Sequence, residues 1–207
     1  FGHLLIVAGA PGYGGAAIMS GRAATRSGVG LVSIAAPLTV ASAIVPAVPE
    51  AMVHPLPATQ EGTIAADALC AWPGSFDRFT AVVAGPGLVS RPETSAVVKR
   101  LLRDCRAPLV LDADALNVLA GKLGCLKEAA GPVVITPHPG ELARLLGVGV
   151  ADVTADPHGL ARRAAEMSGA GVILKGAGTV VAKVGRPLTD AERASLRPWA
   201  EKYVVVA

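Results

Sequence analysis

Short apolar runs recur along this chain, each closed by Gly- or Pro-rich punctuation and then followed by an Ala-rich stretch with helical spacing. No other feature narrows the fold as far. Strands alternating with helices build βαβ units, and these imply a parallel sheet with right-handed crossovers. The runs predict strands over residues 4–8, 30–35, 81–84, 109–112, 133–135, 171–174 and 180–183, and helices over 15–27, 92–105, 115–119, 140–146 and 159–168. The expected class is α/β, in three layers, with a central mostly parallel sheet flanked by helices. Composition agrees: 52% of residues are hydrophobic but only 3% aromatic, so the apolar mass is Ala, Val and Leu, as buried parallel strands require. A length of 207 residues is ample for one such core, and a single domain is expected.

Several classes are set aside. The net charge is +3, and the Lys and Arg residues are dispersed rather than interleaved with aromatics, so nucleic acid is not an expected partner. Cys70, Cys105 and Cys125 are odd in number and widely spaced, which predicts reduced thiols and a cytoplasmic protein. Residues 27–49 carry no charge and are long enough for a membrane span. Pro37, Pro46 and Pro49, with Ser33, Thr39 and Ser42, instead divide them into a buried strand and a helix, so no membrane is expected. The start at Phe-Gly-His, with no initiator Met and no signal-peptide pattern, predicts a fragment of a longer chain.

In an open parallel sheet, ligands bind beyond the carboxyl ends of the strands. Those ends read AGAPGYGGAA, AGPGLVS, DADALN, TPHPGE and KGAGT. In the first, Gly12-x-Gly14-x-x-Ala17 fits a relaxed dinucleotide fingerprint, but no acid stands about twenty positions on to take a ribose. A loop that lets a ligand approach the backbone of Ala16 fits better. AGPGL serves as a plain turn or as a backbone cradle for phosphate or an amide. Asp112, Asp114 and Asn117 suit Mg²⁺ or a sugar hydroxyl, although one carboxylate alone would cap the next helix. In TPHPGE, Pro137 and Pro139 hold His138 out at a strand end, and Gly140-Glu141 begins a helix. VILKGAGTVVA is a hairpin whose turn, Lys175, Gly176, Ala177, Gly178 and Thr179, lies against nucleotide phosphates or is an ordinary turn with an exposed Lys; no helix follows, so it is not a Walker A loop. Residues 185–201, GRPLTDAERASLRPWAE, shift in composition and read as a surface insertion or a tail.

Each motif alone is common. In series, GYGGAA, SGVGLV, PEAMV, AGPGL, LVLDADALN, TPHPGEL and LKGAGTVV resemble the ATP/ADP-dependent NAD(P)H-hydrate dehydratase family, a branch of the ribokinase-like fold, over residues 1 to about 183. The resemblance implies an enzyme for nicotinamide nucleotide repair. ATP or ADP, with Mg²⁺, phosphorylates the ring hydroxyl of hydrated NADH or NADPH, and phosphate is then eliminated without a covalent enzyme intermediate. It implies that Ala16, Gly87 and His138 line the hydrated dinucleotide and that Lys175 to Thr179 contact the nucleotide. Glu141 would organise Mg²⁺ and its waters, with Asp112, Asp114 and Asn117 bordering the same cleft. A homotetramer, and an NAD(P)H-hydrate epimerase as fused domain or partner, are further implications.

Two departures stand out. The family continues into a Gly-rich segment of the type GNPGMA…GGxGDVL, whose Asp is the base and whose glycines form the anion hole. That Asp is expected beyond Ala207, with EKYVVVA as the preceding strand, so the fragment is expected to be inactive or nearly so. Val89 also replaces a customary glycine. Two other readings share these motifs: a kinase of the same fold acting on a thiazole or pyrimidine alcohol, and a nucleotide-binding module without catalysis.

Overall fold

The structure, a computed structural model, describes residues 2–70, 72 and 75–184, and the backbone of 204–206. It divides into two compact units, Phe1–Val118 with Ala129–Pro132, and Leu119–Glu128 with Val133–Ala207.

The first unit contains β1 (His3–Val7), α1 (Gly14–Arg26), β2 (Leu31–Pro37), α2 (Leu38–Ile44), β3 (Met52–Leu56), β4 (Ala81–Ala84), α3 (Pro92–Asp104), β5 (Leu109–Leu111) and the single turn α4 (Asp114–Asn117). Its strands lie in the order β3-β2-β1-β4-β5, each pair parallel. The order reverses at β1, which lies between β2 and β4: the chain runs outward through β2 and β3 on one side and returns to β4 on the other. A crevice is expected beyond the carboxyl ends at such a point. The sheet is apolar on both faces there: Leu5, Ile6, Val7, Ile34, Ala35, Ala36, Val82 and Ala84 are buried, as covered parallel strands must be.

At the opposite end of these strands three aromatic side chains, Trp72, Phe76 and Phe79, gather. Trp72 lies 5.1 Å from the His54 ring and 6.0 Å from Phe79, and the Arg78 guanidinium sits over both Trp72 and Phe79. The buried Ser33 hydroxyl lies 2.9 Å from His3 Nε2 and 3.0 Å from His54 Nε2, joining β1, β2 and β3 on one face. Burial first, and then the charge of Arg78, pull both imidazoles below the ordinary histidine pKa.

The second unit contains β6 (Val133–Ile135), α5 (Pro139–Leu146), α6 (Val150–Ala155), α7 (Pro157–Ser168), β7 (Gly171–Leu174), β8 (Val180–Ala182) and β9 (Val204–Val206). β6 and β7 are parallel, β7 and β8 form an antiparallel hairpin, and β9 runs parallel to β8. The strand expected in EKYVVVA is therefore present. The insertion expected at 185–201 lies outside the described residues.

The strands expected at 81–84, 133–135 and 171–174 appear with those bounds, and the others shift by one or two residues. β3 was not expected, because Pro55 lies within it. It is the edge strand of the first unit's order, where a missing ladder donor is tolerated. The six-residue α6 was also not expected; it is too short to display a helical period.

Candidate functional site

In the first unit the Gly-rich loops after β1 and β4 are pressed together. The Gly9 N–H donates to Pro86 O at 2.9 Å. A Cβ at Gly87 would lie 2.9 Å from Tyr13 O and 3.0 Å from Ala16 Cβ, so the AGPGL turn rests directly on the start of α1. At Gly85, with φ +128°, a Cβ would stand 1.8 Å from Asp112 O; only glycine fits between the ends of β4 and β5. Two of the expected substrate-facing positions, Ala16 and Gly87, are thereby brought into contact. The 13-residue α1 begins with two glycines and has neither a side-chain cap nor an acid in its first turn, so its positive end is left to backbone N–H groups.

The turn continues into Val89, whose φ of +65° is a left-handed conformation that a β-branched residue rarely adopts. Three bonds hold it. Its N–H donates to Asp114 Oδ2 at 3.0 Å, its carbonyl accepts from the buried Thr94 hydroxyl at 2.6 Å, and the next residue, Ser90, donates its hydroxyl to Asp114 Oδ1 at 2.9 Å. Asn117 Nδ2 donates to that same Oδ1 at 3.3 Å. Asp114 thus ties DADALN to the turn after β4. Ala113 is also strained, at φ +51°, and its N–H donates to Asp112 Oδ1 at 2.9 Å. The Asp112 carboxylate is engaged within its own loop and that of Asp114 chiefly by the turn after β4. Among the described residues, no three His, Cys, Asp or Glu side chains converge as a metal cage.

In the second unit, His138 is the N-cap of α5. Its Nδ1 accepts from the N–H groups of Gly140 at 3.0 Å and Glu141 at 3.3 Å, while Glu141 Oε2 accepts from the His138 N–H at 2.8 Å. This is a capping box with imidazole in the place usually taken by a hydroxyl. An accepting Nδ1 carries no proton, so the ring hydrogen is assigned to Nε2. Nε2 lies 3.4 Å from Glu141 Oε1, and the His138 side chain is 51% exposed against 6% for Glu141. The carboxylate is thus buried behind the ring that it orients. The Lys175 N–H donates to Pro137 O at 2.8 Å, which ties the β7–β8 turn to this loop; Gly176, Ala177 and Gly178 are exposed at its tip.

Sequence reasoning located these loops but missed Gly85, Ser90 and Thr94. The one signal for Thr94 is a hydroxyl on the apolar face of α3, where a core side chain would otherwise stand.

Parallel strands with a reversal at β1 and Gly-rich carboxyl-end loops define an α/β protein of the doubly wound kind. A ribokinase-like superfamily protein from Enterococcus faecalis shares the fold, with a TM-score of 0.70 and 22% identity over 90% of this chain and 61% of that one. The sequence model of the NAD(P)H-hydrate dehydratase family matches residues 4–196, and the chain belongs to that family. A bifunctional NAD(P)H-hydrate repair enzyme from Gloeobacter violaceus is 45% identical over 183 residues, covering 87% of this chain and 34% of that one. Its Escherichia coli counterpart is 39% identical over 181 residues, covering 87% and 32%. The ADP/ATP-dependent NAD(P)H-hydrate dehydratase of Bacillus subtilis, co-crystallised with ATP and Mg²⁺ and soaked with CoA, superposes with a TM-score of 0.72 at 31% identity, over 88% of this chain and 62% of that one. The chain spans about a third of the length of the curated relatives it matches. Among the described residues, no helix is long and apolar enough to cross a membrane.

Proposed function

We propose that residues 1–207 belong to one catalytic domain of a cytoplasmic enzyme that repairs hydrated NADH or NADPH at the expense of ATP or ADP. The terminal phosphoryl group passes to the ring hydroxyl. The C–O bond then breaks, inorganic phosphate leaves, and the adjoining ring carbon loses a proton to restore the dihydronicotinamide. Such chemistry needs positioning and charge stabilisation rather than an enzyme nucleophile.

The observation that carries this reading is the contact between Gly87 and Ala16, which leaves backbone rather than side chains facing a ligand beyond β1 and β4. In the second unit, His138 offers its Nε2–H to the hydrated dinucleotide, and the turn from Lys175 to Thr179 holds the nucleotide phosphates. Mg²⁺ neutralises phosphate charge and would be carried chiefly by the nucleotide, as its preference for phosphates and retained waters suggests. Glu141, engaged in the cap, would reach at most that water shell. Asp112, Asp114 and Asn117 border the site as supports of its loops. The relatives' name, bifunctional, fits an epimerase activity in the remainder of such chains, and a homotetramer is the proposed assembly.

The test is calorimetric titration of the 207-residue chain with NADH hydrate and, separately, with NADH. Binding of the hydrate in preference to NADH supports the reading. Equal binding of both, or binding only of thiazole or pyrimidine alcohols, contradicts it.

A further inference from the structure

We propose that His3, Ser33 and His54 form an acid-released latch on the edge strand β3, in which one hydroxyl serves both imidazoles only while at least one ring is neutral. The cluster stands toward the amino ends of the strands and takes no part in the loops of Ala16 and Gly87 beyond their carboxyl ends.

Strand register brings the three side chains together. Leu5 of β1 and Met52 of β3 flank Ser33 of β2, so His3 and His54, each two residues from those partners, project from the same face as Ser33. Ser33 is 1% exposed, and its hydroxyl has one proton for two rings. It donates to one Nε2 and accepts from the Nε2–H of the other, which assigns the rings opposite tautomers. With both rings protonated, both Nε2 atoms donate to the one oxygen, the buried hydroxyl hydrogen loses its acceptor, and two positive charges meet.

The neighbouring elements supply no counter-charge. β1 and β3 bring only the two imidazoles, β2 brings Ser33, and the turn at 76–78 brings Arg78, whose guanidinium lies 5.3 Å from the Trp72 ring centroid and 4.8 Å from that of Phe79. Burial first, then the Arg78 charge, and for His54 also that of His3, hold the rings below the ordinary histidine value. Asp77 acts instead on the Cys105 thiol, and Asp104 of α3 pairs with Arg100 and Arg103, so among the described residues no carboxylate offsets the charge of either ring. A ring released from the cluster returns toward 6.5, so the open state binds more protons than the closed one as the pH falls. The latch is intact above about pH 6.5 and weakens progressively below it.

β3 is the element with least to hold it. It ends the strand order with a ladder to β2 alone, and Pro55 brings no N–H. Trp72, which lies against His54, is held by ring packing; its buried indole N–H has no hydrogen-bond partner among the described residues. Segments tied in this way open locally before a core strand does.

The experiment is hydrogen exchange of the 207-residue chain at about pH 7 and about pH 5.5, corrected for the intrinsic amide rates. Opening of residues 52–56 should rise about tenfold more than that of 81–84 and of α3, the factor for one imidazole released from a neutral state. His3→Gln combined with His54→Gln keeps amides that can bond to Ser33 but do not titrate, and should abolish the selective rise. Circular dichroism checks the fold; where the double variant does not fold, His54→Gln alone should cut the rise to about threefold. No rise, a rise shared equally by 81–84 and α3, or one that the substitutions leave unchanged overturns the latch.

Discussion

The loops after β4 and β6 solve the same problem in opposite ways. After β4, in the first unit, missing side chains at Gly85 and Gly87 let the turn pack directly on Asp112 and on the start of α1, and the nearby polar groups turn inward: Asp114 holds Val89, Ser90 and Asn117. After β6, in the second unit, a side chain is presented outward. The His138 imidazole is half-exposed, and the buried Glu141 is used to orient it. Rigidity in the first loop is bought with backbone strain, and in the second with a helix cap. A carboxylate at a strand end is therefore not by itself a metal ligand; here each one first fixes a loop.

The contrast breaks most sharply at Gly85. Gly85→Ala places a Cβ against Asp112 O at a φ of +128°, so β4 and β5 must separate at their ends. We expect a loss of about 4 kcal/mol in denaturant unfolding, or failure to fold. A loss below about 1 kcal/mol would show that the turn is looser than described. Asp114→Ala removes the acceptor of three donors, and we expect about 2 kcal/mol of destabilisation by the same measurement. No comparable loss would mean that water takes over its role. Val89→Gly runs the other way, relieving a strained β-branched residue while keeping its N–H and carbonyl bonds. The midpoint should rise by an amount equivalent to about 1 kcal/mol, and a fall would show that the valine side chain contributes packing that outweighs its strain.

These sites also mark what could be read in advance. The strands at 133–135 and 171–174 were legible because β-branched apolar runs end at Pro or Gly, a signal local to a few residues. β3 was hidden by Pro55, whose tolerance depends on the strand lying at an edge, a property of the assembled sheet. His138 was legible as a held residue but not as a cap, since histidine is outside the usual set of N-cap side chains. The AGPGL turn was recognised, yet nothing local shows that Gly85 faces Asp112 O or that Asp114 reaches back to Val89 across 25 positions. Contacts between distant loops carry no pattern in a single sequence.

The central claim is that His138 has two separable roles, capping α5 through Nδ1 and meeting the hydrated dinucleotide through Nε2. His138→Asn tests it, because the asparagine oxygen can accept the same backbone N–H groups but has no group where Nε2 stands. Unfolding stability should change by less than about 0.5 kcal/mol. The affinity for NADH hydrate should fall about tenfold while that for Mg²⁺–ATP stays the same. A folded His138→Asn chain that binds NADH hydrate as tightly as the unaltered one, or that loses ATP affinity in equal measure, would contradict the account.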